Sequence, residues 1–309
     1  MLLASLLFAA MGVCVKFAAA YFNSAELIFW RGLIGVLFIW AIARVRGIPL
    51  ATPHFAMHAW RSLVGVFALG TWFYALAHLP LATAMTLNYM SSIWIAMFLV
   101  GGALITWRPV RPGGAAPGAV SPPSGQGPLV LSVLAGFVGV VLLLRPSVGA
   151  GQSFAASIGL LSGLAAAFAY MQVMALAKVG EPEARTVFYF AAGSGAVGAV
   201  AMLWTGISPW TWEGAVWLLP IGLLASLGQL CMTRAYSYGA TLVVANLQYA
   251  GIVFGAIFGV WLFGDTIRPL GWAGMALIIA SGVAATALRE RAAPAPITAS
   301  QANAPRAPD

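Results

Sequence analysis

The chain has 309 residues, of which 61% are hydrophobic and only 7% charged, with a formal net charge of +8. A soluble domain averages about 45–50% apolar and about 25% charged residues, and 15 Lys+Arg with 7 Asp+Glu cannot coat a soluble chain of this length. A soluble enzyme, a disordered chain and a nucleic-acid binder are excluded. Cys14 and Cys231 both lie inside apolar runs and supply neither a disulfide framework nor a zinc cluster.

A helix needs about 20 mainly apolar residues to cross a bilayer. In chain order such runs are read at 2–21, 25–43, 61–78, 81–105, 128–144, 155–177, 186–204, 213–235, 240–263 and 269–288. Runs such as Val138–Leu144 do not alternate, which sets a β-barrel aside. No basic residue precedes Lys16, so the first run is not read as a signal peptide. Met1 abuts that run, which leaves room for an upstream start with a short basic tail. Residues 108–127, rich in Pro, Gly and Ser, predict a flexible cytoplasmic loop. Residues 289–309 predict a disordered tail.

With ten runs both termini share a side. That side collects Arg44, Arg46, Arg61, Arg108, Arg111, Lys178, Arg185, Arg234, Arg289, Arg291 and Arg306, against only Arg145 and Arg268 opposite. The positive-inside rule then makes both termini cytoplasmic, in an inner membrane.

Sliding the chain by 160 residues brings His78–Pro109 onto Tyr238–Pro269. Leu87-Asn88-Tyr89 meets Leu247-Gln248-Tyr249, and Arg108-Pro109 meets Arg268-Pro269. The expected fold is therefore all-α and integral to the membrane, with ten transmembrane helices in two five-helix repeats at 1–145 and 146–288. An odd number of spans per repeat inverts one half against the other. Inverted repeats are typical of secondary transporters, with the substrate site near the midplane between the halves.

Several stretches resemble the EamA family of the drug/metabolite transporter superfamily. They are Glu26-Leu27-Ile28-Phe29-Trp30-Arg31-Gly32, Phe73-Tyr74-Ala75-Leu76, Leu79–Ala84, Gly228-Gln229, Leu247-Gln248-Tyr249 and Phe263-Gly264-Asp265. The likeness runs over about residues 2–288. One departure is Gly102–Trp107, where many members have an acidic turn; Asp265 retains the acid in the second half. The resemblance implies a metabolite carrier whose spans 1–4 and 6–9 form the cavity.

Charges inside a span cost roughly 3 kcal/mol or more at the helix centre and mark function by default. Lys16 and Arg31 fall there, on neighbouring runs. One reading is a cationic pair facing a substrate carboxylate or phosphate; the other has Glu26 neutralise one cation while the other snorkels outward. No acid falls mid-membrane, so coupling through a buried carboxylate is not expected. The polar and aromatic residues Tyr74, Asn88, Tyr89, Trp94, Tyr170, Gln172, Gln229, Asn246, Gln248 and Tyr249 complete the cavity candidates. Each of these either lines a site or ties helices together. Gly251, Gly255 and Gly259 form a small-residue stripe read as helix packing or a sliding surface.

His54, His58 and His78 have no carboxylate at metal-ligand or triad spacing, so no enzyme, metal site or cofactor is expected. The expected function is secondary transport of a small amino-acid-like, vitamin-like or other anionic or zwitterionic metabolite. The alternative is a non-transporting scaffold or lipid-handling protein. Partners are the substrate and the bilayer, with no nucleic acid and an open oligomeric state, monomer included.

Overall fold

The computed structural model describes residues 1–95, 97–98, 127–144, 153–264 and 269–292, all helix and connecting turn without a strand. Of the loop expected at 108–127, residues 108–126 lie outside the described residues and Gly127 already opens a helix; Asp265 and residues 293–309 lie outside them as well. Helices α1 (Leu2–Ala18), α2 (Ser24–Arg46), α3 (Phe55–His78) and α4 (Leu81–Tyr89) come first. Next are α5 (Gly127–Leu144), α6 (Ser153–Lys178), α7 (Glu183–Thr205) and the short α8 (Trp212–Ala215). The chain closes with α9 (Leu218–Tyr238), α10 (Thr241–Leu247), α11 (Ala250–Phe263) and α12 (Pro269–Ala292).

Local chemistry sets the ends. Asn23 accepts from the Ala25 and Glu26 amides at the start of α2, while Glu26 accepts from the Asn23 amide at 2.8 Å. This capping box satisfies the free amides of the first turn. Gly47 ends the same helix at φ +65°, a conformation that side chains with a Cβ resist. Helix α12 runs on to Ala292, past the span end expected at 288.

Among the described residues, five segments are long and apolar enough to cross a bilayer: Ser24–Arg46, Ser153–Lys178, Glu183–Thr205, Trp212–Tyr238 and Val243–Phe263. Leu2–Ala18 and Pro269–Ser281 are apolar but shorter. The outer surface is apolar as well. Leu37, Trp40, Phe67, Phe154, Leu203, Trp204 and Trp261 are all exposed, which water would not tolerate over so wide an area and hydrocarbon does. Five apolar spans and this surface make the chain an integral membrane protein.

The helices pack as partners from opposite ends of the chain: α2 against α7, α3 against α6, α1 against α9, α4 against α11 and α5 against α12. Small residues allow the close approaches. A Cβ on Gly32 would strike the Gly195 backbone, and one on Gly198 would lie 2.6 Å from the Phe29 amide nitrogen. Gly251 faces Tyr89 and Gly255 faces Met85, so the stripe on α11 packs against α4.

Runs four and nine, expected to be continuous, are interrupted. Helix stops at Tyr89 and resumes at Ser91; it stops again at Leu247 and resumes at Ala250. These breaks fall close to the repeat-equivalent Asn88-Tyr89 and Gln248-Tyr249 pairs. Discontinuous helices of this kind form the binding regions of many carriers.

Two carboxylates tie the connecting segments. Glu26 accepts from the Ser208 amide at 2.9 Å and hydroxyl at 2.6 Å. Glu181, buried between α6 and α7, accepts from the Thr52 hydroxyl at 2.6 Å and from Arg185 Nη1 at 3.0 Å. His58 Nε2 lies 3.2 Å from the same carboxylate, its ring stacked on Tyr189. Burial alone would raise the Glu181 carboxyl, yet the hydrogen bonds from Thr52, His58 and Arg185 hold it below the usual carboxylate range. Burial pushes His58 below its ordinary 6.5, with Glu181 pulling partly the other way.

Both shifts make the unfolded chain bind protons more readily than the folded one. His58 withdraws stability as pH falls below about 6.5, and Glu181 withdraws more through the carboxylate range. The melting temperature of the purified protein is expected to drop between pH 7 and pH 4. His58→Gln should flatten that slope, because it removes the buried imidazole and one of the hydrogen bonds that hold Glu181 low. A slope equally steep in the variant would remove the cluster as its cause.

Candidate functional site

A cavity of about 50 Å³ lies among α1, α2, α3, α4, α6, α7 and α9. Phe8, Met11, Leu69, Trp72 and Phe190 form its apolar wall, and Arg31, Arg61, Asn88, Tyr89, Tyr170 and Gln229 bring polar groups to it. Ligand pockets typically measure about 300–1,000 Å³. A metabolite enters this one only if the helices part.

Two arginines dominate its electrostatics. Arg31 is 4% and Arg61 2% exposed. Their guanidinium carbons stand 4.9 Å and 4.2 Å from the centre of the same Phe190 ring. Arg31 Nη1 donates to Ser194 Oγ at 3.2 Å, and Ser194 passes the bond on to the Phe190 carbonyl. Arg31 Nε, Arg61 Nε and Arg61 Nη1 have no hydrogen-bond partner, nor do the Trp72 indole N–H and the Tyr89 hydroxyl. Among the described residues, neither arginine meets a carboxylate. Glu26, which the alternative reading has neutralise one of the cations, spends its oxygens on Asn23 and Ser208.

Gly65 gives Arg61 its course. One turn further along α3, it leaves open the place that the Arg61 guanidinium fills; a Cβ there would strike Arg61 Nη1 and lie 2.8 Å from Phe190 Cε2. Gly65→Ala is expected to cut transport at least about tenfold while the protein is still produced, although helix propensity alone favours Ala by about 1 kcal/mol. Initial uptake rate and melting temperature, measured together, check this. Unchanged uptake would show that Arg61 does not need its present position.

Of the residues expected from the sequence, the fold brings Arg31, Asn88, Tyr89, Tyr170 and Gln229 to this cavity. Lys16 is elsewhere: its Nζ donates to the Leu79 carbonyl at 3.0 Å and sits over the Phe263 ring. Arg31 is thus paired with Arg61, not with Lys16. Tyr74 stacks on His78, Trp94 stacks on Phe98, and Gln172 is half-buried on α6.

Gln248 and Asn246 make separate hydrogen bonds near the second helix break, where Tyr249 is buried beside them. Gln248 Nε2 donates to Ser91 Oγ at 3.2 Å and Gln248 Oε1 accepts from Tyr236 at 3.1 Å. Asn246 Nδ2 donates to the Ser281 carbonyl at 3.0 Å, and Tyr249 packs against Gly136. Partners of this kind make these amides interhelical ties. Asn88 Nδ2 also donates across helices, to Ser162 Oγ at 3.1 Å, but its residue still borders the cavity.

The sequence reading missed Arg61, counted there among cytoplasmic loop charges, and Phe190. The available signal was helical phase. Arg61, Gly65, Ala68, Leu69 and Trp72 recur at the spacing of one helix face, and α3 begins at Phe55 rather than at residue 61.

In a helical membrane protein, buried cations around an internal cavity mark a functional site by default. A family model for EamA-like transporters matches residues 1–106. The chain is 33% identical over 282 residues to the pseudopaline exporter CntI of Pseudomonas aeruginosa, covering 91% of this chain and 90% of that protein. It is 30% identical to an uncharacterized transporter of Helicobacter pylori, with 91% of each chain covered. A riboflavin transporter of Brucella anthropi is 22% identical, over 89% of this chain and 93% of its own. A solved crystal structure superposes at TM-score 0.71 with 21% identity, covering 94% of this chain and 96% of that one. The chain belongs to the EamA-like transporter family, within the drug/metabolite transporter superfamily.

Proposed function

We propose that this protein is a secondary transporter of a small anionic or zwitterionic metabolite. It works by alternating access across a bacterial-type inner membrane. The observation that carries this reading is the Arg31–Arg61 pair, buried beside a cavity and unmatched by any acid among the described residues. Evicting such charges from water costs several kcal/mol each, a cost that a bound anion offsets. The relatives' different named substrates, pseudopaline and riboflavin, leave the substrate to be argued from the cavity itself.

The mechanism rests on two inverted five-helix halves, residues 1–145 and 146–288. The pairings support it: α2 with α7 and α5 with α12 are repeat-equivalent partners, α4 packs against α11 of the equivalent run nine, and α1 with α9 mirrors α6 with α3. The cavity lies where the halves meet, so a rocking motion would open it to either side. The charge bias supports cytoplasmic termini.

Reporter fusions after Gly113 and at the C-terminus are expected to read cytoplasm, and one after Ser208 the outside. Counterflow in proteoliposomes tests the function. Exchange that requires internal substrate is expected; a protein that moves none of a broad metabolite panel returns the reading to a membrane scaffold.

A further inference from the structure

Resting on the transporter reading, we infer that the Arg31–Arg61 cavity selects a doubly anionic substrate, two acidic groups on a short apolar or planar body, over monoanions and zwitterions.

The charge count comes first. Two guanidiniums share one phenyl ring, close enough that one small molecule reaches both. A cation over an aromatic face gains about 0.5–2 kcal/mol, far less than the burial of a charge costs. Ser194 is neutral and supplies one hydrogen bond, to Arg31 alone. Three acids among the described residues are engaged elsewhere: Glu26 at Ser208, Glu181 at His58 and Arg185, Glu213 at Tyr21. A monoanion in this cavity leaves one buried cation unmatched, whereas a dianion matches both.

The hydrogen-bond inventory agrees. Arg31 Nε, Arg61 Nε, Arg61 Nη1, Trp72 Nε1 and Tyr89 OH all have a proton to give and no partner. Such a set fits a ligand rich in acceptor oxygens, because guanidinium forks hold carboxylate or phosphate oxygens in pairs. A zwitterion would bring an ammonium donor into a donor-lined, positively charged space, where it is repelled. Phe8, Met11, Leu69 and Trp72 leave the rest of the ligand an apolar wall.

The test is thermal-shift and calorimetric binding on the purified full-length protein at fixed ionic strength. Glutarate and succinate are compared with butyrate, glutamine and inorganic phosphate. The dicarboxylates are expected to bind at least about tenfold tighter than butyrate or glutamine, a difference of about 1.4 kcal/mol. In Arg61→Gln that ratio should fall towards one, with butyrate affinity little changed. Phosphate matching glutarate assigns the site to any compact dianion; phosphate much weaker assigns it to separated carboxylates; the proposal stands in both.

Equal affinity for glutarate and butyrate overturns it, as does no binding by any dianion. It is also overturned if chloride alone reproduces the full shift and the dicarboxylates add nothing, since the arginines then hold halide counter-ions. Counterflow separates the two readings. Arg61-dependent transport of a monoanion or zwitterion sinks the charge rule and keeps the transporter, whereas tight glutarate binding without transport of any compound does the reverse.

Discussion

Arg61→Met is expected to lower initial uptake by at least about 100-fold while leaving the melting temperature unchanged or higher. The side chain is 2% exposed and two of its nitrogens have no partner. An unmatched buried cation destabilises its own fold, and an apolar side chain of similar length removes that penalty. Charge-assisted hydrogen bonds are worth about 1.5–3 kcal/mol each, so losing two to a substrate accounts for the predicted fall in rate. If Arg61 instead served to hold α3 against α7 through Phe190, the same substitution would lower stability and transport in parallel. The divergence between the two readouts identifies a substrate-facing cation.

Gly32→Leu should have the largest structural effect of any single substitution considered. The backbones of α2 and α7 approach so closely that a Cβ at Gly32 meets Gly195 N, Gly195 Cα and the Ala191 carbonyl. Backbone cannot swing aside as a side chain can. Overpacking costs about 1–3 kcal/mol where neighbours relax and more where they do not. We expect little monodisperse protein after extraction, or a melting temperature many degrees lower. Gly255→Ala should be milder, because the atom in its way is the sulfur of a flexible Met85. Gly127→Ala, with nothing within 4 Å, should be neutral. Equal behaviour of the three variants would mean that the α2–α7 approach is looser than the geometry implies.

The contrast between Arg31, Arg61 and Lys16 shows what a sequence carries and what it does not. Arg31 is legible because a charge sits well inside an apolar run, where it costs free energy. Lys16 satisfies the same criterion, but its fate depends on the Leu79 carbonyl, at the point where Pro80 separates α3 from α4. That carbonyl is 63 residues away. Arg61 looked like an ordinary cytoplasmic charge because it stands at the edge of its apolar run. Only the start of α3 at Phe55 adds the extra turn that sets Arg61 inside the bundle.

Local signals were readable for the same reason that distant ones were not. The glycine stripe Gly251, Gly255 and Gly259 on α11 is a short-range pattern. The meeting of Gly32 with Gly195, or of Arg31 and Arg61 on Phe190, depends on how helices from the two ends of the chain pair. The two helix breaks fall between these cases. Their equivalence follows from the repeat, yet nothing in the runs at 81–105 and 240–263 marks where the helix stops.

A substrate site that opens to each side in turn must expose the Arg31–Arg61 cavity from both faces of the membrane. Ala68, buried at 5% exposure and bordering that cavity, offers the direct probe. With Cys14 and Cys231 replaced by Ala, an Ala68→Cys protein is treated with a membrane-impermeant maleimide in right-side-out and in inverted vesicles. Labelling from both faces, slowed by a transported dianion in each, is the predicted result. Labelling from one face only, or at a rate that substrate does not change, would contradict the account.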